Sequence, residues 1–505
     1  MSNKSQKKIG VFLTYMTQIV KVITGLVYTP IMLSIVGQSE YGIYQIAYSV
    51  ISYLELINLG FLGSYTKFYT VAQKKGEEDV KQINGIFLLV LLIMSGICVI
   101  AGSVILSKIE LIFGPGFNQD EYALAKKLMV ILIVNMAVTF PMGLFEHNIT
   151  VNEHFFFVKL INLLNKLLNP FIALPLLLLG YGSIGLVITT TAITITTAVI
   201  EIFYCLGKLN MRFSLGDSSV VALKSIGGFS YFIFLNQVID MINWNVDKIL
   251  IGRFMGSVSV AVYSVGGQLR QLFSSFPNAI RTVFQPQMYK MVAQKESEEN
   301  ISRLFTNVGR IQCVILLPIL FGFICLGRQF ITLWTGKEYL EAYYVALCIM
   351  IPISIPHMQD IGIDLQRAVN KHQTRSIVYA CIAVMNILLT IPLIKALGIV
   401  GAAFATGISL SLGQGIFMNI YYQTVLKLDI KLFWREIVSI IIPQFALAII
   451  FYIVSYLIIV DKWWKLIAMG FIYLVAYMSL SYLYIFNPQE KETIKHIMQK
   501  MKIIK

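Results

Sequence analysis

The chain is short of charge. Of its 505 residues only 13% are Asp, Glu, Lys or Arg, while 57% are hydrophobic; a soluble chain carries about 25% charged residues. A water-soluble core cannot take up that much apolar surface, so lipid is the expected solvent. Six cysteines stand singly in apolar stretches, at Cys98, Cys205, Cys313, Cys325, Cys348 and Cys381, and the five histidines are equally scattered. With no metal-ligand spacing and no disulfide framework, the cysteines read as small buried hydrophobes and no metal is expected. A Gly-x-x-x-x-Gly-Lys-Ser/Thr phosphate loop is missing, as is a soluble domain to house one. Energy is therefore expected from an ion gradient, H+ or Na+, or from the substrate gradient, with no ATP and no bound cofactor. No nucleophile–base arrangement appears, which argues against an enzyme. The net charge of +14 would point to nucleic acid in a soluble protein. Here it follows from the habit of cytoplasmic loops to collect Lys and Arg, and no nucleic-acid partner is expected.

What is present is a series of apolar runs, each of the roughly 20 residues a bilayer requires. They fall at 10–36, 43–64, 84–106, 124–147, 159–180, 183–206, 226–251, 258–283, 306–327, 341–365, 375–395, 398–422, 434–459 and 463–486. The first follows Lys4, Lys7 and Lys8, runs past Pro30, and is too long for a signal-peptide core, so it reads as an uncleaved span. With the N-terminus inside, inner loops hold roughly 25 Lys and Arg and outer ones about eight, which places both termini in the cytoplasm. The basic tail beyond Pro488 reads as a solvated or headgroup-contacting segment.

The two halves repeat each other. Gln18-Ile19-Val20-Lys21 is echoed by Gln237-Val238-Ile239-Asp240, and Gly37 with Gly42-Ile43-Tyr44 by Gly256 with Ala261-Val262-Tyr263. Val71-Ala72-Gln73-Lys74 returns at Val292-Ala293-Gln294-Lys295, and Val151-Asn152-Glu153-His154 at Val369-Asn370-Lys371-His372. Asn169 and Pro175 match Asn386 and Pro392, and Gly182 with Gly185 matches Gly398 with Gly401. All six matches keep their order at an offset of about 220 residues. That offset covers six spans, an even number, so the repeat is parallel. The expected fold is an all-α polytopic membrane protein of about fourteen helices. A six-helix lobe at 1–210 and a second at 211–425 are followed by two further helices at 426–487 and a cytoplasmic tail at 488–505.

Four spans carry polar side chains at the three- or four-residue spacing of one helix face. They are Thr14, Gln18, Lys21, Gly25 and Tyr28; Tyr44, Tyr48, Ser52 and Glu55; Asn236, Asp240, Asn243 and Asp247; and Tyr263, Gly267, Arg270, Ser274, Pro277 and Arg281. An ionisable group at a span's centre costs at least about 2.5–3.5 kcal/mol, so Lys21, Glu55, Asp240 and Arg270 should line a cavity or pair between helices. Lys21 and Asp240 hold equivalent repeat positions with opposite charge and are candidates for such a pair. For Lys166 and Arg281, nearer the interface, snorkelling is the plain alternative. Asp360 and Asp364 fall at the end of a span, where the helix dipole disfavours carboxylates, and read as loop residues.

The segment Asp247-Lys248-Ile249-Leu250-Ile251-Gly252, then Gly256 and Val262-Tyr263-Ser264-Val265, resembles the start of the second half of polysaccharide flippases. So do Gly37, Tyr41-Gly42-Ile43-Tyr44 and the paired Gly182/Gly185 and Gly398/Gly401 steps. The chain is similar over essentially its whole length to the polysaccharide-transport branch of the multidrug/oligosaccharidyl-lipid/polysaccharide exporter superfamily. That resemblance implies translocation of an undecaprenyl-pyrophosphate-linked oligosaccharide across the bacterial cytoplasmic membrane by alternating access, beside other polysaccharide-assembly proteins. Lys21, Arg270, Lys166 and Arg281 are then the expected cations for the diphosphate. Tyr44, Tyr48 and Tyr263 would meet sugars, while Glu55 and Asp240 hold the cations or a coupling ion. A multidrug cation antiporter and a peptidoglycan-precursor (lipid II) flippase are the alternatives, and a membrane glycan enzyme is the least favoured.

Overall fold

Fourteen apolar runs separated by short turns leave the backbone one way to satisfy its polar groups in lipid, which is helix after helix. The computed structural model describes residues 3–58, 61–114, 116–215, 219–371, 373–458, 460–487 and 491, with backbone alone at 3–12, 15, 219–233, 235 and 236. Asn236's side chain and most of the expected tail thus lie outside the described residues. No strand occurs among the described residues.

The chain divides into two compact units, 1–264 and 265–505. The first holds α1 (Asn3–Val36), α2 (Gln38–Ser52), a 3-10 segment (Tyr53–Asn58), α3 (Phe61–Gln73), α4 (Glu77–Ser107) and the short α5 (Ile109–Phe113). It continues with α6 (Gln119–Val151), α7 (Phe155–Leu178), α8 (Gly182–Gly207), α9 (Ser219–Met255) and the first turns of α10 (Ser257–Ala293). The second unit takes the rest of α10, then α11 (Glu298–Trp334), α12 (Glu341–Met358), α13 (Ile361–Ala368) and α14 (Gln373–Leu410). A π-helical stretch, Ser411–Phe417, leads into α15 (Met418–Thr424), followed by α16 (Ile430–Leu457) and α17 (Trp463–Leu480). Eleven helical stretches among the described residues are long and apolar enough to cross a membrane; one of them, 373–424, folds at Gly398 and supplies two spans. The polar α9 and α10 supply the rest of the expected series. The outward faces are apolar, as in Leu92, Ile93, Ile100 and Val104 of α4 and Ile442, Ile450 and Ile453 of α16, all exposed. This is a multi-pass membrane protein.

Two expected spans are broken. The run at 43–64 leaves the α-helix at Ser52, whose hydroxyl donates to Ser49 O at 2.7 Å, and tightens into the 3-10 segment that carries Glu55. The run at 341–365 loses two N–H donors at Pro352 and Pro356, and stops at Met358. Two backbone turns, at Gln359 and Asp360, then start α13.

The repeat is visible in the backbone itself. Left-handed residues recur 216 to 222 positions apart, as Gly37/Gly256, Gly114/Gly336, Glu153/Asn370, Gly182/Gly398 and Asn210/Lys427. Gly182 (φ 52°) and Gly398 (φ 63°) each turn one span back on the last, a conformation L side chains resist. Gly185 then packs against Leu176, and a Cβ on Gly401 would fall on the backbone oxygen of Leu393, so each turn closes a tight helical hairpin.

In the first unit α1 runs along α7, and α6 packs between α4 and α8, while α9 lies on α2 and α3. In the second, α16 and α17, the helices outside the repeat, dock on α11. Polar anchors fix them there: the buried Arg310 reaches Glu436 at 2.6 Å and Ile485 O at 3.1 Å, and Tyr477 donates to Val314 O at 3.0 Å.

Candidate functional site

Contacts at one end of the first unit set a common level for its helices. Glu40 at the start of α2 accepts from Ser183 N (2.6 Å) and Ser183 Oγ (2.7 Å) at the start of α8. Ser39 and Ser257 both donate to Glu121 Oε1 at 2.6 Å, and a Cβ on Gly42 would fall on the backbone oxygen of Ser257. This Gly37 end therefore gathers the last turns of α1, α7 and α9. Measured from it at 1.5 Å per residue, Lys21 lies about 22 Å along α1, Lys166 about 18 Å along α7 and Asp240 about 22 Å along α9. These groups lie at similar distances from that end, within the reach of a hydrocarbon core of about 30 Å.

Lys21 and Lys166 come together. Lys21 is half-buried, Lys166 is exposed, and Lys166 is the charged neighbour of Lys21. Among the described residues neither ammonium makes a hydrogen bond or ion pair. The expected Lys21–Asp240 pair is therefore not formed. Asp240 instead lines a cavity of about 260 Å³ with Glu55, Gln237, Met241, Trp244 and Asn245. Glu55 reaches it because the 3-10 segment is held to α9, where Tyr53 donates to Met241 O at 3.3 Å. Gln18 and Tyr48 are exposed and Tyr44 half-buried. Tyr41, Tyr44 and Tyr48 form a ladder of rings with centroids 6.2 and 6.3 Å apart.

Part of the polar stripe turns inward. Asp247 and Tyr263 are buried, and the tyrosine donates to Asp247 Oδ2 at 2.7 Å across the Gly256 turn. Asn243 is buried as well. The Tyr263–Asp247 bond fastens α9 to α10, because one hairpin brings their two stripes face to face, and none of the three lines an open cavity.

In the second unit, Arg270 is half-buried and has a partner. Arg281 grips Asp364 with two bonds, Nε–Oδ2 2.7 Å and Nη2–Oδ1 2.8 Å, and Gln285 adds a third at 2.9 Å. Asp364 sits wholly buried on α13, not in a loop, and Asp360 is buried beside His357 at 3.3 Å. The helix break after Pro356 is what turns Asp364 toward α10. Arg281 thus serves its own carboxylate first, in place of snorkelling.

Sequence reasoning passed over a stripe of amides and hydroxyls on α6, α7 and α8. Asn169 donates to Thr190 at 3.4 Å, Thr197 to Asn165 at 3.1 Å, and Asn135 to Thr191 at 3.2 Å and Thr194 at 3.3 Å. The dense threonines from Thr189 to Thr197 were its signal, easily discounted because threonines bond their own helix, as Thr190 does to Leu186 O at 2.9 Å.

The family described as polysaccharide biosynthesis protein matches residues 31–344, more than half of the chain. EpsK, an uncharacterized membrane protein of Bacillus subtilis (strain 168), is 20% identical over 493 residues, 94% of either chain. Agl15 of Haloferax volcanii, a probable low-salt glycan biosynthesis flippase, is 25% identical over 201 residues, 40% of either chain. Among solved structures, the lipid II flippase MurJ in an inward closed conformation superposes with a TM-score of 0.74 at 16% identity, covering 94% of this chain and 98% of that one. The chain belongs to the polysaccharide biosynthesis protein family.

Proposed function

We propose that the chain is a flippase that moves an undecaprenyl-pyrophosphate-linked oligosaccharide from the inner to the outer leaflet of the bacterial cytoplasmic membrane, with Lys21 and Lys166 gripping the diphosphate. The adjacent, unneutralised ammonium groups carry this reading. Two like charges within a membrane span repel each other, so their position is favourable only where an anion or water compensates. A diphosphate supplies charge and acceptor oxygens for both, in charge-assisted bonds of about 1.5–3 kcal/mol each. At the open end of the ladder, the exposed Tyr48 and half-buried Tyr44 offer ring faces for sugars. Gln18 supplies an amide on the face of Lys21, and Glu55 and Asp240 line a separate polar cavity. Arg270 is the cation expected to act from the second repeat.

The same pair of lysines repels the organic cations that a multidrug antiporter would bind. A lipid II flippase shares the diphosphate, and complementation of a strain depleted of its precursor flippase separates the two. In a deletion strain carrying the chain on a plasmid, Lys21→Ala and Lys166→Ala should each lower surface glycan about tenfold or more at unchanged membrane abundance. Lys21→Arg should retain part. Normal export by the double alanine variant refutes the grip, and resistance to cationic dyes on expression would favour the antiporter.

A further inference from the structure

A second polar centre lies in the first unit, away from the lysines. Glu201 is the one charged residue of α8 (Gly182–Gly207). It is only 6% exposed, and among the described residues it makes no hydrogen bond or ion pair. The charge that acts on it is Glu146 of α6, itself half-buried and reached by Asn162 Nδ2 of α7 at 3.5 Å. Measured from the ends of their helices at Gly207 and Val151, both carboxyls lie about 8–9 Å inward, on the same level.

The surroundings are specific. Cys205, one turn along α8, faces Glu201, and His147 stands beside Glu146 on α6. Lys159 and Lys166 of α7 and Lys21 of α1 exert no resolved influence on Glu201, and α2 presents Glu40, which is bound at Ser183. At the same end a cavity of about 730 Å³ is lined by Tyr69, Lys81, Asn84, Asn148, Asn210 and Arg212. On its wall Asn148 donates to Tyr65 OH at 2.7 Å and Tyr65 to Asn84 Oδ1 at 2.7 Å, while the Cys205 thiol of α8 donates to Phe145 O of α6 at 3.5 Å, next to Glu146.

We propose that Glu201 and Glu146 hold one proton between them, at a protonation site on the same end of the first unit as this cavity. Two neighbouring carboxyls among apolar helices cannot both ionise, and without a cation or donor on Glu201 a shared proton is the remaining compensation. Among the described residues no group of three His, Cys, Asp or Glu is arranged for a metal ion, which favours the proton over a multivalent cation. On the flippase reading above, this is the coupling proton: it is bound while the pair is close and released when movement of α8 against α6 separates the two groups.

Infrared difference spectroscopy of the full chain in nanodiscs reads the pair directly. At neutral pH the wild type minus Glu201→Gln spectrum should show the carbonyl band of one protonated carboxyl. Glu146→Gln, which removes the repelling neighbour, should weaken that band. The absence of a band difference for Glu201→Gln, or a band that Glu146→Gln leaves unchanged, overturns the site. If the band is abolished by sodium at fixed pH, the site is a sodium site and the proposal falls. In liposomes carrying a lipid-linked glycan, flipping by the wild type should respond to an imposed pH gradient, and by Glu201→Gln it should not. A response that survives Glu201→Gln overturns the coupling role. Wild-type protein that moves no glycan at all defeats the flippase reading, while the infrared result still decides the proton site.

Discussion

At the scale of single residues, identity alone did not decide the role of a charged side chain; its neighbour did. Lys21 and Arg281 are both cations on polar stripes of long helices, yet Lys21 has another cation beside it and Arg281 has a carboxylate in a two-bond grip. Removing one partner of a buried pair costs about 3–5 kcal/mol, whereas replacing both by apolar groups is often neutral. Arg281→Ala should therefore lower the melting temperature sharply, by leaving Asp364 buried and uncompensated. The double variant Arg281→Met, Asp364→Leu should melt near the wild type and still export glycan. Loss of export in a double variant that folds normally would return Arg281 to the substrate site.

At the scale of elements, glycines and proline-induced breaks set where polar groups end up. The turn at Gly256 folds Tyr263 onto Asp247, and the break after Pro356 points Asp364 at Arg281. The hairpins at Gly182 and Gly398 rest on close approach as much as on left-handed backbone. A Cβ at Gly401 meets the carbonyl of Leu393, which as backbone cannot swing away. Gly401→Val should cost about 1–3 kcal/mol or more and reduce the amount of folded protein in the membrane. Gly96→Val, where no atom lies within 4 Å of the added Cβ, should be tolerated, and equal thermal stability of the two variants would contradict the hairpin packing.

At the scale of the whole molecule, much was legible from hydropathy and the internal repeat. The apolar runs become long helices, and the repeat reappears as five pairs of left-handed turn residues. The site was legible in part. Lys21 stood out because few residues excuse a charge at mid-span, but the spacing of Lys166 on its own helix said nothing of α1, and their meeting depends on which helices pack together. Asp247 and Tyr263 had the right period for a cavity wall and the wrong partner, since periodicity reports a face and not what it faces. Glu201 and Glu146 lie toward helix ends, where a lone carboxylate passes for an interfacial one; only the burial of Glu201 within reach of Glu146's charge distinguishes them. The central claim is that the lysine pair binds the diphosphate of a lipid-linked glycan. Native mass spectrometry of the purified protein with undecaprenyl-pyrophosphate-linked oligosaccharide tests it most directly. The wild type should retain the lipid and the Lys21→Ala, Lys166→Ala double variant should bind it at least about 100-fold more weakly, whereas equal retention by the two proteins would contradict the account.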